Sequence, residues 1–88
     1  MNALVNLSIK GMQMFSQKIS GAFITNTFVR KLPSGISYGI FFNIPNLAVK
    51  KNYSSCVADL LKLGFNQVQI AKMLNVSQST VSRLARGL

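Results

Sequence analysis

The stretch from Gln67 to Arg86, QVQIAKMLNVSQSTVSRLAR, decides how this chain is read. Gln67 to Leu74 has the pattern of a short helix. Asn66 can cap it, and Gln69 is placed to reach back in a capping box. At about 100° per residue, Ile70, Ala71 and Leu74 share one face and Lys72 and Gln69 the other. Asn75 follows, and asparagine is the side chain best able to take a left-handed conformation after a helix. Val76 gives the turn an apolar plug. Ser77 is a good cap for a second helix, Gln78 to about Arg86.

That second helix has two unlike faces. Thr80, Val81, Leu84 and Leu88 lie in one arc suited to packing. Gln78, Ser79, Ser82, Arg83 and Arg86 lie on the other. Those five supply hydrogen-bonding groups and positive charge with no carboxylate, a composition suited to base edges beside phosphates. Ala71 has its own reason: two helices crossing steeply over a short turn approach closely, so a small side chain is needed near the corner. Val81 is its apolar counterpart.

The residues now carry a resemblance. The stretch resembles the helix-turn-helix of phage repressors, Cro proteins and many bacterial regulators. The family pattern has a small residue in the first helix (Ala71), glycine at the turn (Asn75 here, a mild departure) and an apolar residue after it (Val76). It also has apolar anchors in the second helix (Val81 and Leu84). The resemblance implies that Ser77, Gln78, Ser79, Ser82 and Arg83 face the bases. It covers about 20 of the 88 residues, roughly 36 with the preceding helix, and specifies a motif rather than one family. The N-terminal half resembles no family.

Upstream, Tyr53 to Leu63 reads as a helix with Ser54 as its cap and Gly64 as its stop. Tyr53, Val57, Leu60 and Leu61 line the face expected to meet Ile70, Leu74, Val81 and Leu84, with Phe65 filling the corner. Residues 53–88 are thus read as a trihelical DNA-binding unit. Ahead of it, residues 46–52 (NLAVKKN) look like a connector, from which Lys50 and Lys51 can reach phosphate.

The first half reads as β-rich. Ala22 to Lys31 alternates Phe23, Thr25, Thr27 and Val29 on one face with Ile24, Asn26, Phe28 and Arg30 on the other. Leu32 to Gly35, LPSG, suits a type I turn, and Ile36 to Ile44 is a second strand, giving a β-hairpin. Pro45 and Asn46 break it. Met1 to Ser20 is ambiguous. Val5, Ile9, Met12 and Ile19 keep helical spacing, whereas Val5, Leu7 and Ile9 alternate as a strand; we expect a strand over residues 3–10. Met12, Met14 and Phe15 read as core material. The fold class is therefore α+β, with a 1–52 region that completes the core and forms a homodimer. Apolar residues on both hairpin faces ask for a second cover, and a second copy is the simplest one.

Composition bounds the chemistry. Ten Lys and Arg stand against one acid, Asp59, for a net charge of +9. This balance favours a polyanion, nucleic acid first and an anionic membrane surface second. With no His, no Glu and one Asp, acid–base catalysis has no machinery, so no enzyme is expected. Nor is a metal site, a cofactor or a small-molecule ligand. Cys56 is expected as a buried small hydrophobe, and its being alone fits a reducing, cytoplasmic setting. The N-terminus begins with no basic segment, so no signal peptide is expected. The longest uncharged run, Leu32 to Val49, contains Pro33, Gly35, Gly39 and Pro45, against a membrane span.

These readings converge on sequence-specific binding of double-stranded DNA, as a small dimeric repressor-like regulator of bacterial, phage or plasmid type. Gln67, Lys72, Arg86, Lys50 and Lys51 are expected at the DNA backbone. Arg30 and Lys31 are either phosphate contacts or solvated turn charges. An architectural, partition or recombination-accessory protein would use the same motif. A basic protein-interaction or membrane-surface module would explain the charge but not the motif.

Overall fold

The computed structural model describes residues 13–88. The strand expected over residues 3–10, and Met12, lie outside them. The described residues form three strands, β1 (Gln13–Ile19), β2 (Phe23–Lys31) and β3 (Ser37–Pro45). A 3-10 turn, Lys50–Tyr53, leads into three helices, α1 (Ser54–Lys62), α2 (Gln67–Leu74) and α3 (Gln78–Arg86). The strands make an antiparallel sheet of order β1-β2-β3.

The hairpin forms as its sequence predicts. Gly35 N–H donates to Leu32 O at 3.0 Å and Leu32 N–H to Ile36 O at 2.7 Å. Gly35 takes φ 99°, so Pro33 and Ser34 turn the chain and glycine supplies the left-handed residue of a three-residue loop. From Phe23↔Pro45 to Lys31↔Ser37 the register runs without a break.

β1 is the element the sequence hid. It pairs with β2 from Gln13↔Val29 to Ile19↔Ile24, but the register shifts between Met14 and Ser16. That bulge inserts one extra residue, so Met14 and Gln17 share the helix-side face while Ser16 falls on the other. Period-two alternation is lost, and with it the strand signal. A turn joins β1 to β2, with Ser20 N–H donating to Phe23 O at 2.8 Å.

One sheet face lies on the helices. Ile24, Asn26 and Phe28 of β2 and Ile44 of β3 are buried, with Tyr38, Ile40 and Phe42 packed beside them. Phe65, between α1 and α2, locks the layers. Its ring centroid is 5.5 Å from those of both Phe28 and Phe42, in an edge-to-face geometry with the latter. Tyr53 is fully buried, donates its hydroxyl to Pro45 O at 2.7 Å and accepts from Leu47 N–H at 3.0 Å. The sheet and helices share one core. The opposite face is open: Phe23 is 47% and Phe41 64% exposed.

Three expectations need correction. Ser54 does not cap α1. It is the first helical residue, and its hydroxyl donates back to Lys51 O at 3.3 Å, because the preceding 3-10 turn already satisfies that end. Residues 50–53 are that turn rather than a plain connector. Leu88 does not pack. It lies beyond the end of α3, past Gly87, and is exposed.

Gly39 is a position where only hydrogen fits. A Cβ there would sit 2.5 Å from the backbone oxygen of Phe28. Gly39→Ala should therefore lower the unfolding free energy by roughly 1–3 kcal/mol, read as a reduced urea midpoint.

Candidate nucleic-acid interface

The trihelical unit is set by local chemistry at each corner. α1 ends at Gly64, φ 105°, with Phe65 N–H donating to Leu60 O and Gly64 N–H to Leu61 O. This is a Schellman ending, which turns the chain through a left-handed residue. Asn66 then caps α2: its side chain accepts from Gln69 N–H at 2.8 Å, and the Gln69 side chain accepts from Asn66 N–H at 2.9 Å. Two amides that the first turn would leave unpaired are satisfied reciprocally.

α2 ends by the same device with a different residue. Asn75 sits at φ 56°, ψ 47°, the left-handed region. Val76 N–H donates to Ala71 O at 3.0 Å and Asn75 N–H to Lys72 O at 3.3 Å. Ala71 and Val81 are both buried at the corner, as expected of a close crossing.

Ser77 caps α3, accepting from Thr80 N–H at 3.2 Å. Its hydroxyl also bonds those of Thr80 at 2.9 Å and Ser79 at 3.1 Å. Ser77 is thus committed to holding the helix start. Thr80, placed by the sequence on the packing arc, is only half-buried, and its hydroxyl accepts from Arg83 Nη2 at 3.4 Å. That contact draws the guanidinium along the helix.

The polar set lies where the sequence put it. Gln78, Ser79, Arg83 and Arg86 are exposed along α3, Ser82 is half-buried at their margin, and Val81 is fully buried behind them. Gln67 is half-buried at the start of α2, and Lys72 is exposed in its last turn. Lys50 and Lys51 are exposed on the 3-10 turn, which packs against α3 and so brings them to its side. Lys50 is partly engaged: its ammonium lies 5.6 Å from the Tyr53 ring centroid and donates to Leu47 O at 3.1 Å. Arg30 and Lys31 stand on the sheet, opposite Tyr38 and Ser37, with Arg30 half-buried.

Neither α2 nor α3 carries a carboxylate, and both leave their first turns free of acids. The positive N-terminal ends of these helices are therefore unopposed. Asp59 is on α1. Nearby, Cys56 is half-buried, and burial first and Asp59 second push its thiol pKa up, so it is a protonated packing group.

The sequence missed what fixes the motif from outside. Asn26 of β2 is fully buried, and its amide donates to Met73 O at 2.9 Å. Gln17 of β1 donates through Nε2 to Asn26 Oδ1 at 2.9 Å and to Lys72 O at 2.6 Å. Two strand side chains thus satisfy the last carbonyls of α2, immediately before the turn. A polar residue between Ile24 and Phe28 on a core-facing strand was the available signal.

Asn26→Leu should cost roughly 1–3 kcal/mol, because it takes from the Met73 carbonyl its buried donor and leaves it only the Gln17 amide at 3.5 Å. Gln17→Ala, at a more exposed site, should cost less, and urea unfolding of both variants checks the order. At the turn, Asn75→Ala should cost about 1–2 kcal/mol for placing a Cβ-bearing residue without a local partner at positive φ. Asn75→Gly should cost nothing.

Neither the curated proteins nor the solved structures provide a match to this chain. Residues 58–88, which span the second half of α1 with α2 and α3, match the family model described as Helix-turn-helix. The chain therefore carries a helix-turn-helix DNA-binding segment at 58–88, joined to a three-stranded sheet that the match does not reach.

Proposed function

We propose that the protein is a sequence-specific binder of double-stranded DNA, acting as a small dimeric, repressor-like transcriptional regulator of bacterial, phage or plasmid type. The observation that carries this is the exposed face of α3. It presents Gln78, Ser79, Arg83 and Arg86 without a carboxylate, on a motif whose other face is locked into the core. In this reading α3 lies in the major groove. The Gln78 amide pairs with adenine, and Arg83 reads guanine through O6 and N7 or holds the adjoining phosphate. Ser79 and Ser82 bond bases or phosphates. Ser77 acts through the cap, presenting the helix start. Gln67, Lys72, Arg86, Lys50 and Lys51 meet the backbone.

The dimer forms through the 1–52 region and sets two α3 helices about 34 Å apart, one DNA turn. The protein works on cytoplasmic, nucleoid-associated DNA, as a binding protein rather than an enzyme, with no cofactor or metal. No helix among the described residues is long and apolar enough to cross a membrane.

Selection of sites from random duplex DNA at fixed, near-physiological salt tests the proposal. An inverted repeat is the expected result. Even coverage of long DNA without a discrete site would instead favour the architectural or partition reading. On the selected site, Arg83→Ala should weaken binding by roughly 1–3 kcal/mol and relax preference at one base position. If Arg83 holds phosphate, the loss should be uniform across sequences. Unchanged binding by both Gln78→Ala and Arg83→Ala would refute this placement of α3.

A further inference from the structure

We infer that the edge of β3 that no described strand pairs with is the dimer contact, pairing antiparallel with β3 of a second copy about a two-fold axis at Phe41. The inference rests on the dimeric reading above and specifies its surface.

The main-chain bonding of β3 fixes which groups it offers. In an antiparallel ladder, opposed residues alternate between pairs that exchange main-chain bonds and pairs that do not. Two bonds set the phase of the β2–β3 ladder at its two ends: Asn46 N–H to Ala22 O, and Leu32 N–H to Ile36 O. Both belong to the same alternation as Ile24↔Ile44, Asn26↔Phe42, Phe28↔Ile40 and Arg30↔Tyr38. The even-numbered residues of β3 therefore bond inward to β2. Ser37, Gly39, Phe41 and Asn43 turn their N–H and C=O groups outward, and among the described strands none pairs with that edge.

Edges left in this state are ordinarily blunted by charge, bulges or interior proline. The β1 edge has such devices, Lys18 and the bulge after Met14. β3, SYGIFFNIP, has no charge along its length, pairs without a bulge, and has its proline only at the end. In a chain of net charge +9, an uncharged strand is also a place where two copies meet without opposing cations.

Self-pairing has one register that overlaps the whole strand: Phe41 opposite Phe41 of the copy, Gly39 opposite Asn43, and Ser37 opposite Pro45. The amides of Gly39, Phe41 and Asn43 then find carbonyls. At the ends of the ladder Pro45 has no N–H to give Ser37, and its carbonyl, which already accepts from the Tyr53 hydroxyl at 2.7 Å, has one lone pair left for the Ser37 amide. Phe41, 64% exposed, gains an aromatic cross-strand neighbour.

A further consequence is geometric. Every outward-bonding residue of β3 also points its side chain to the open face. Directly paired residues share a face, so the ladder joins open face to open face and helix face to helix face. The result is a continuous six-stranded sheet with both helical units on one side, the arrangement that presents two α3 helices to a single duplex.

The test uses the intact protein. Sedimentation should show a dimer, and amide exchange by NMR should find Gly39, Phe41 and Asn43 as protected as Ile40 and Phe42. Phe41→Lys and Phe41→Glu should each sediment as folded monomers, since the side chain is largely exposed, and their equimolar mixture should return the dimer. A dimer whose outward amides exchange freely, or which both variants leave intact, would overturn the β3 contact while leaving the dimeric reading standing. Monomeric variants whose mixture stays monomeric would overturn the Phe41-centred register. A wild-type monomer, both free and on its selected DNA site, would overturn the contact and the dimeric reading together.

Discussion

The structure depends on how the end of α2 is satisfied. A helix leaves its last carbonyls without partners, and here that of Met73 is buried against the sheet rather than open to water. The left-handed Asn75 lets the backbone of Asn75 and Val76 serve Lys72 and Ala71. The amides of Asn26 and Gln17 serve Met73 and Lys72 from the strands. No buried side-chain nitrogen or oxygen among the described residues is left unpaired. The geometry of the turn is therefore determined twice, once by the local chain and once by a sheet 47 residues away in sequence. Because Asn26 is fully buried, its amide has no water to fall back on, and the bond enforces one placement of the sheet against the motif.

The aromatic contacts do complementary work. Phe28, Phe42 and Phe65 fill the space between the layers but are non-directional enough to tolerate small slips. The polar pair is not. Apolar burial brings sheet and helices together, and Asn26 with Gln17 selects the register at which they stop. The small size of the core makes this division useful, since a modest apolar cluster alone would allow several packings.

What could be read from the sequence follows range in the chain. The capping box at Asn66 and Gln69, the Ser77 cap, the left-handed Asn75 and the LPSG turn are each determined within a few residues, and each appears as expected. The α3 faces were legible for the same reason, apart from Thr80 and Leu88. Thr80 was drawn into the hydroxyl network at the helix start, and Leu88 lies past the helix end. β1 was illegible because its bulge breaks the alternation by which strands are recognised. Ser54 was misread because its role depends on the 3-10 turn before it. The Asn26–Met73 bond was only half legible: a polar residue between Ile24 and Phe28 marks Asn26, but its partner is a backbone atom and leaves no residue signature.

The same bond bears on how the two halves of the chain act together. A helix-turn-helix presents its second helix accurately only if its first is held, and here α2 is held by β1 and β2 through side chains on the buried sheet face. Among the described residues nothing covers the sheet's outer edge or open face, because all the holding is done from the other side. β3 is thus linked to α3 by a short path: β3 to β2 by the ladder, Asn26 to Met73 by a hydrogen bond, and Met73 to the start of α3 by four residues of chain across the turn. In a dimer built on that edge, the spacing of the two α3 helices would be fixed by strand pairing rather than by a linker. Such a stiff spacing would penalise half-sites at the wrong separation, and would add discrimination beyond whatever base contacts either helix made alone.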